Sequence, residues 1–193
     1  MIGAARFARE SRQLEQMCAE DREGLFLDNE IAPCVTASIF LAVAALEAHV
    51  NEEIASNGLS PEKTDCRKTK GSCVLWKYQK VLQLREKPAM DKGRCPFQDV
   101  ADLIKLRNSL VHFVPEWDDE NGKHKKLSER FRSKKIELSS FCAPGTDFVY
   151  RCSVSPEVAD WAVSSVWNFI ARFSELCQIL NRLSKHRNRI FIS

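Results

Sequence analysis

Apolar residues along this chain recur mostly every three or four positions, the spacing of an amphipathic helix. Ile39, Val43, Leu46, Val50 and Ile54 form one such stripe. It predicts a long helix from about Pro33 to Ser56, with Pro33 suited to the first turn and Asn57-Gly58 closing it. A preceding helix is expected from about Ala4 to Glu23, and a third over about Val74–Arg85. Pro96 opens a fourth, which should run to about Phe113 and stop before Pro115. The last helix opens at Ser155-Pro156-Glu157 and continues to about Leu183. Ala159, Ala162, Val163, Val166, Phe169, Ile170, Phe173, Leu176 and Leu180 supply its buried face.

Between these elements the pattern weakens. Leu59–Gly71, Lys87–Cys95 and Glu116–Lys126 read as polar loops. Leu127 begins a short segment of one or two helical turns, and Ser139–Ser153 reads as irregular with an extended "FVYRC". No repeat or linker divides the chain, so residues 1–193 are expected to form a single all-α domain. Its architecture should be an up-and-down bundle of four or five helices.

Composition agrees with a helical globule: 44% of residues are hydrophobic, 28% charged, and Gly and Pro number seven each. No uninterrupted apolar run approaches the roughly 20 residues of a membrane span. The longest is Ser38–Leu46, and the first residues lack a secretory pattern, so a cytoplasmic protein without a membrane partner is expected. All eight cysteines then read as reduced thiols. A zinc-stabilised module built on Cys66, Cys73 and Cys95 would need paired ligand spacing, and no CxxC pair exists. No metal or other cofactor is expected.

The net charge of +3 is unevenly spread. Met1–Ser60 carries four basic and ten acidic residues, whereas Glu62–Arg94 carries ten basic and four acidic. Gly122–Glu137 carries seven against two, and Arg182–Arg189 adds four basic residues. Such segments suit a phosphate-rich partner, although solvated surface lysines give the same pattern. Lys68, Lys70, Lys123, Lys125 and Lys126 are the candidate RNA-contacting residues.

Chemistry concentrates at the end of the fourth helix, "LIKLRNSLVHFVPEW". Leu103, Leu106 and Leu110 face the bundle, while Arg107, Asn108 and His112 stand beside them. In a continuous helix Arg107 and His112 would lie about 140° apart and roughly 7.5 Å along the axis. Cutting RNA without a metal needs a base for the ribose 2′-OH, a cation for the phosphate and an acid for the leaving 5′ oxygen. Histidine serves as acid or base near neutral pH, and arginine offers a fork of donors suited to phosphate. Asn108, one turn before His112, could orient the imidazole. One helix cannot easily aim both groups at one phosphate. A two-fold dimer can, by pairing Arg107 of one protomer with His112 of the other.

"LRNSLVH" resembles the Arg-polar-x-x-x-His signature of HEPN-domain ribonucleases. "AALEAHVNE", "VHFVPEW" and "ADWAVSSVWNFIARF" extend the resemblance over most of the chain. It implies a HEPN-like helical bundle, a homodimer, and a metal-independent endoribonuclease of the toxin, phage-defence or RNA-processing type. An inhibitor or regulatory partner protein would then accompany it. Arg107 and His112 would be catalytic, Asn108 supportive, and Glu47 and Asn51 would line the cleft. The subgroup silenced by nucleotidyl transfer carries Tyr two residues after the His, where this chain has Val114. The alternative is a non-catalytic helical scaffold that binds protein or nucleic acid through the same surface.

The remaining polar candidates look structural. Asp99 and Asp102 sit over two turns before His112, unsuited to a shared metal site. His49, His124 and His186 read as surface histidines, and Trp76, Trp161 and Trp167 as core or interface anchors.

Overall fold

A computed structural model describes residues 1–21, 30–58, 72–113, 123–139, 142 and 145–191. Among these the chain is all-helical: α1 (Ile2–Asp21), α2 (Ala32–Ser56), α3 (Cys73–Leu84), α4 (Phe97–Val111), α5 (Lys123–Ser133), α6 (Phe148–Ser153), α7 (Pro156–Cys177) and α8 (Arg187–Ile190), the last preceded by a 3-10 turn at Ser184–His186. The first four expected helices thus appear near their expected bounds, and the closing helix starts where expected. The described residues hold more helices than the four or five expected, because three short ones lie where the apolar pattern is thin.

Helices α1, α2 and α7 pack together as the centre of the fold, and α4 crosses α2 and α7. Small residues let α1 approach α2 closely: Ala4, Ala5 and Ala8 are buried, and Ser38 Oγ donates to the Ala4 carbonyl at 2.9 Å. The α2 stripe Ile39, Val43, Leu46 and Val50 is fully enclosed, with Ile54 partly so. Tyr78 of α3 stands edge-on to Phe169 and Phe173 of α7, tying α3 to the same core. By length and composition α2 is long and apolar enough to cross a membrane. Its apolar face is instead occupied by α1, α3, α4 and α7.

Three expectations need correction. The segment beginning at Leu127 is a three-turn helix that starts at Lys123. Leu127 and Phe131 lie one turn apart and are buried, and Phe131 meets the rings of Phe148 and Trp161. "FVYRC" is helical, because Asp147 caps α6 by accepting from the backbone N–H groups of Val149 and Tyr150. Finally, α7 ends at Cys177, where Gln178 turns left-handed at φ 56°. Leu180, expected on its buried face, is 82% exposed, and Leu176 is only half-buried.

Candidate functional site

The residues around α4 explain what that helix can present. Val100, Leu103 and Leu106 are fully buried, with Leu110 packed beside them. This anchors one face and turns the opposite one outward. Helical geometry stops at Val111. His112 is the C-cap, with φ −115° and ψ 49°, and its N–H still donates to the Asn108 carbonyl at 3.0 Å. The helix was expected to reach Phe113, so the angular separation of Arg107 and His112 computed for an unbroken helix holds only up to Val111.

The three motif residues differ in setting. Asn108 and His112 are exposed, flanked by the exposed apolar side chains of Val111 and Phe113. Arg107 is half-buried, and its Nε is shielded from solvent with no hydrogen-bond partner. No ion pair involves Arg107 among the described residues, although acids are plentiful in this fold. A guanidinium so placed retains its donors for an incoming anion.

Beside this exit lies a pair missed in the sequence. His124, expected at the surface, is buried, and its Nδ1 donates to Asp147 Oδ2 at 2.8 Å. Asp147 thus serves the α5 histidine and the α6 N-terminus with its two oxygens. The His124 ring lies nearly parallel to Phe113, with 6.1 Å between centroids. His124 and Asp147 are 23 residues apart, so only the capping pattern before "FVY" could have hinted at one partner.

The other candidates scatter. Glu47 and Asn51 are exposed on α2, and Asn51 accepts from Lys77 of α3 at 2.9 Å. Asn51 is therefore committed toward α3, and no hydrogen bond or ion pair among the described residues joins either residue to Arg107 or His112. Lys125 and Lys126 are exposed on α5. Lys123 opens that helix, and Lys68 and Lys70 lie outside the described residues.

His49, also expected at the surface, is largely buried against Tyr78 and Phe173. Tyr78 donates its single proton to the Leu46 carbonyl at 3.0 Å and so accepts from His49 Nδ1, also at 3.0 Å. Burial pushes the imidazole below its ordinary pKa, opposing the pull of Glu53 and Glu52.

Asp99 and Asp102 form salt bridges. Lys134 reaches both carboxylates, and Arg130 donates to Asp102 Oδ1 at 2.9 Å. Cys95 gives its thiol to Asp99, which raises the thiol's pKa. Cys73 is disulfide-bonded, contrary to the expectation of eight reduced thiols; Cys34, Cys95, Cys142, Cys152 and Cys177 form no disulfide. A thiolate set of Cys66, Cys73 and Cys95 is thereby broken, and no cluster of three metal-ligating side chains occurs among the described residues.

No protein-family model, curated protein or solved structure matches this chain.

Proposed function

We propose that the chain is a metal-independent endoribonuclease with a HEPN-like helical bundle, acting as a homodimer on cytoplasmic RNA as a toxin or phage-defence effector. The observation that carries this reading is the half-buried guanidinium of Arg107. It has no acidic partner among the described residues and lies just over one turn from an exposed histidine at the end of the same helix. A structural arginine in such a position would ordinarily be paired, since burying an unpaired charge is costly.

In this mechanism His112 of one protomer removes the 2′-OH proton. The oxygen attacks the adjacent phosphorus, and the bond to the 5′ oxygen breaks. Arg107 of the facing protomer holds the phosphate oxygens through its fork of donors. The second His112 of the cleft protonates the leaving oxygen, while Asn108 limits the rotation of the imidazole. The products are a 2′,3′-cyclic phosphate and a 5′-hydroxyl.

The test is cleavage of total RNA in EDTA by the purified protein beside a folded His112→Ala variant. We expect persistent cleavage by the parent and a loss of roughly 10²–10⁴-fold in the variant. Equal rates would remove His112 from the chemistry. Absence of cleavage by a well-folded dimer would favour the binding scaffold.

A further inference from the structure

The C-terminal segment that follows α7 plays no part in the site above, yet it is fastened to the fold with unusual care. From Arg182 to Phe191 it contains Arg182, Lys185, Arg187 and Arg189 and no acidic residue. Ile190 is buried, and Phe191 meets Trp167 of α7 edge-on at 5.1 Å. Arg9 of α1 donates through Nη1 to the carbonyls of both Arg189 and Ile190, at 3.3 Å each. The backbone is thus clamped while the cations face outward: Lys185, Arg187 and Arg189 are exposed and form no ion pair among the described residues. Arg182 has only a loose contact with Glu52, at 4.0 Å. A merely solvated basic tail has no need of such anchoring.

The same junction of α1, α7 and α8 encloses a notch of about 140 Å³. Ala5 and Ala8 keep it open, and Arg9, Asp160, Ser164 and Phe191 line its rim. Both Arg12 contacts with Asp160 go to Oδ2, which offsets the carboxylate charge and leaves Oδ1 as an acceptor. Ser164 offers a hydroxyl, and Phe191 is 41% exposed, presenting aromatic surface. A flat heterocycle with amino and carbonyl edges suits this combination, and its attached phosphates would reach exposed guanidinium groups.

We infer that the α1–α7–α8 notch and the cations of α8 form a single-stranded RNA-binding site, seating one base in the notch and its neighbouring phosphates on Arg187 and Arg189. The inference rests on the RNA reading above and adds a substrate-holding surface separate from α4. Aromatic and cationic side chains used together are the common means of binding single strands without a fixed sequence.

The test uses the full chain carrying His112→Ala, to spare the probe, and a fluorescein-labelled mixed-sequence oligoribonucleotide read by anisotropy in EDTA. Adding Arg187→Ala with Arg189→Ala should weaken binding at least tenfold. It should also reduce the slope of log affinity against log salt by about 1 to 1.5, the share of two phosphate contacts. Arg172→Ala, an exposed cation on α7 paired with Glu175, should change neither. Unchanged RNA binding in the double variant would overturn this site while leaving the nuclease reading intact. If the parent binds no RNA but binds phosphatidylserine vesicles through the same arginines, the site is a membrane surface and this inference fails. If it binds neither, both this inference and the RNA reading fall.

Discussion

His49 illustrates how a single side chain changes character once its neighbours are known. In the sequence it is a histidine on a helix rich in alanine and glutamate. In the fold its ring stacks on Tyr78 and abuts Phe173. Burial lowers its pKa, so in acid the unfolded chain binds a proton that the folded chain resists. Stability should therefore rise with pH within this window and be lost as pH falls below about 6.5, toward the depressed folded value. Each unit of depression corresponds to about 1.4 kcal/mol. We expect His49→Gln, which can still donate to Tyr78, to flatten the dependence of the urea midpoint on pH between 7 and 5.5. Parallel curves for the two proteins would place the acid sensitivity elsewhere. The surroundings of His49 and His124 are illegible in the sequence for one reason. Each partner lies on a different helix, and no local spacing reveals it.

At the scale of elements, legibility followed apolar content. In α2 and α7 almost every inward position is apolar, so their stripes and starts were visible, as was the Leu103–Leu106–Leu110 stripe of α4. In α5 the chain reads "KHKKLSERFRS", with only Leu127 and Phe131 apolar, and the charges masked a helix that is held largely by its neighbours. Part of that hold is the Asp102 carboxylate of α4, which is buried and receives Arg130 and Lys134. We expect Asp102→Ala to destabilise the protein by about 1–3 kcal/mol, since it leaves charged donors short of an acceptor. Lys134 keeps Asp99, and Arg130 is half in solvent, so the loss should stay below that of a fully buried pair. Urea unfolding measures it; a change under 0.5 kcal/mol, roughly that of an ordinary surface substitution, would mean the bridge does not fasten α5. The end of α7 was misplaced for the opposite reason. Leu180 continues the helical spacing, but Gln178 turns left-handed before it, and spacing alone cannot register a backbone reversal.

The whole molecule raises the matter of assembly. Val111 and Phe113 are 47% and 43% exposed on either side of His112, an apolar rim around a polar site. On the proposed function this rim is the seam of the homodimer. Sedimentation equilibrium should give a dimer for the parent and a monomer for Val111→Glu, with cleavage lost in step. Mixing the inactive Arg107→Ala and His112→Ala chains should restore a small part of the activity, because a mixed dimer keeps one Arg–His pair but lacks the second histidine, so water must protonate the leaving oxygen. If mixing restores nothing although mixed dimers form, either both histidines are indispensable or Arg107 and His112 act from the same chain.

Local sequence pattern suffices for the helical class, the starts of the long helices and the position of Arg107, Asn108 and His112 at the end of one of them. These follow from side-chain periodicity and from proline geometry, which act over a few residues. Only packing shows that Arg107 has no acidic partner among the described residues, that His112 sits at a cap outside the helix, and that His124 is tied to Asp147. It also decided that the C-terminal cations are clamped beside a notch. Each of these depends on which distant residues meet. Burial and pairing are properties of the packed chain, and no local pattern carries them.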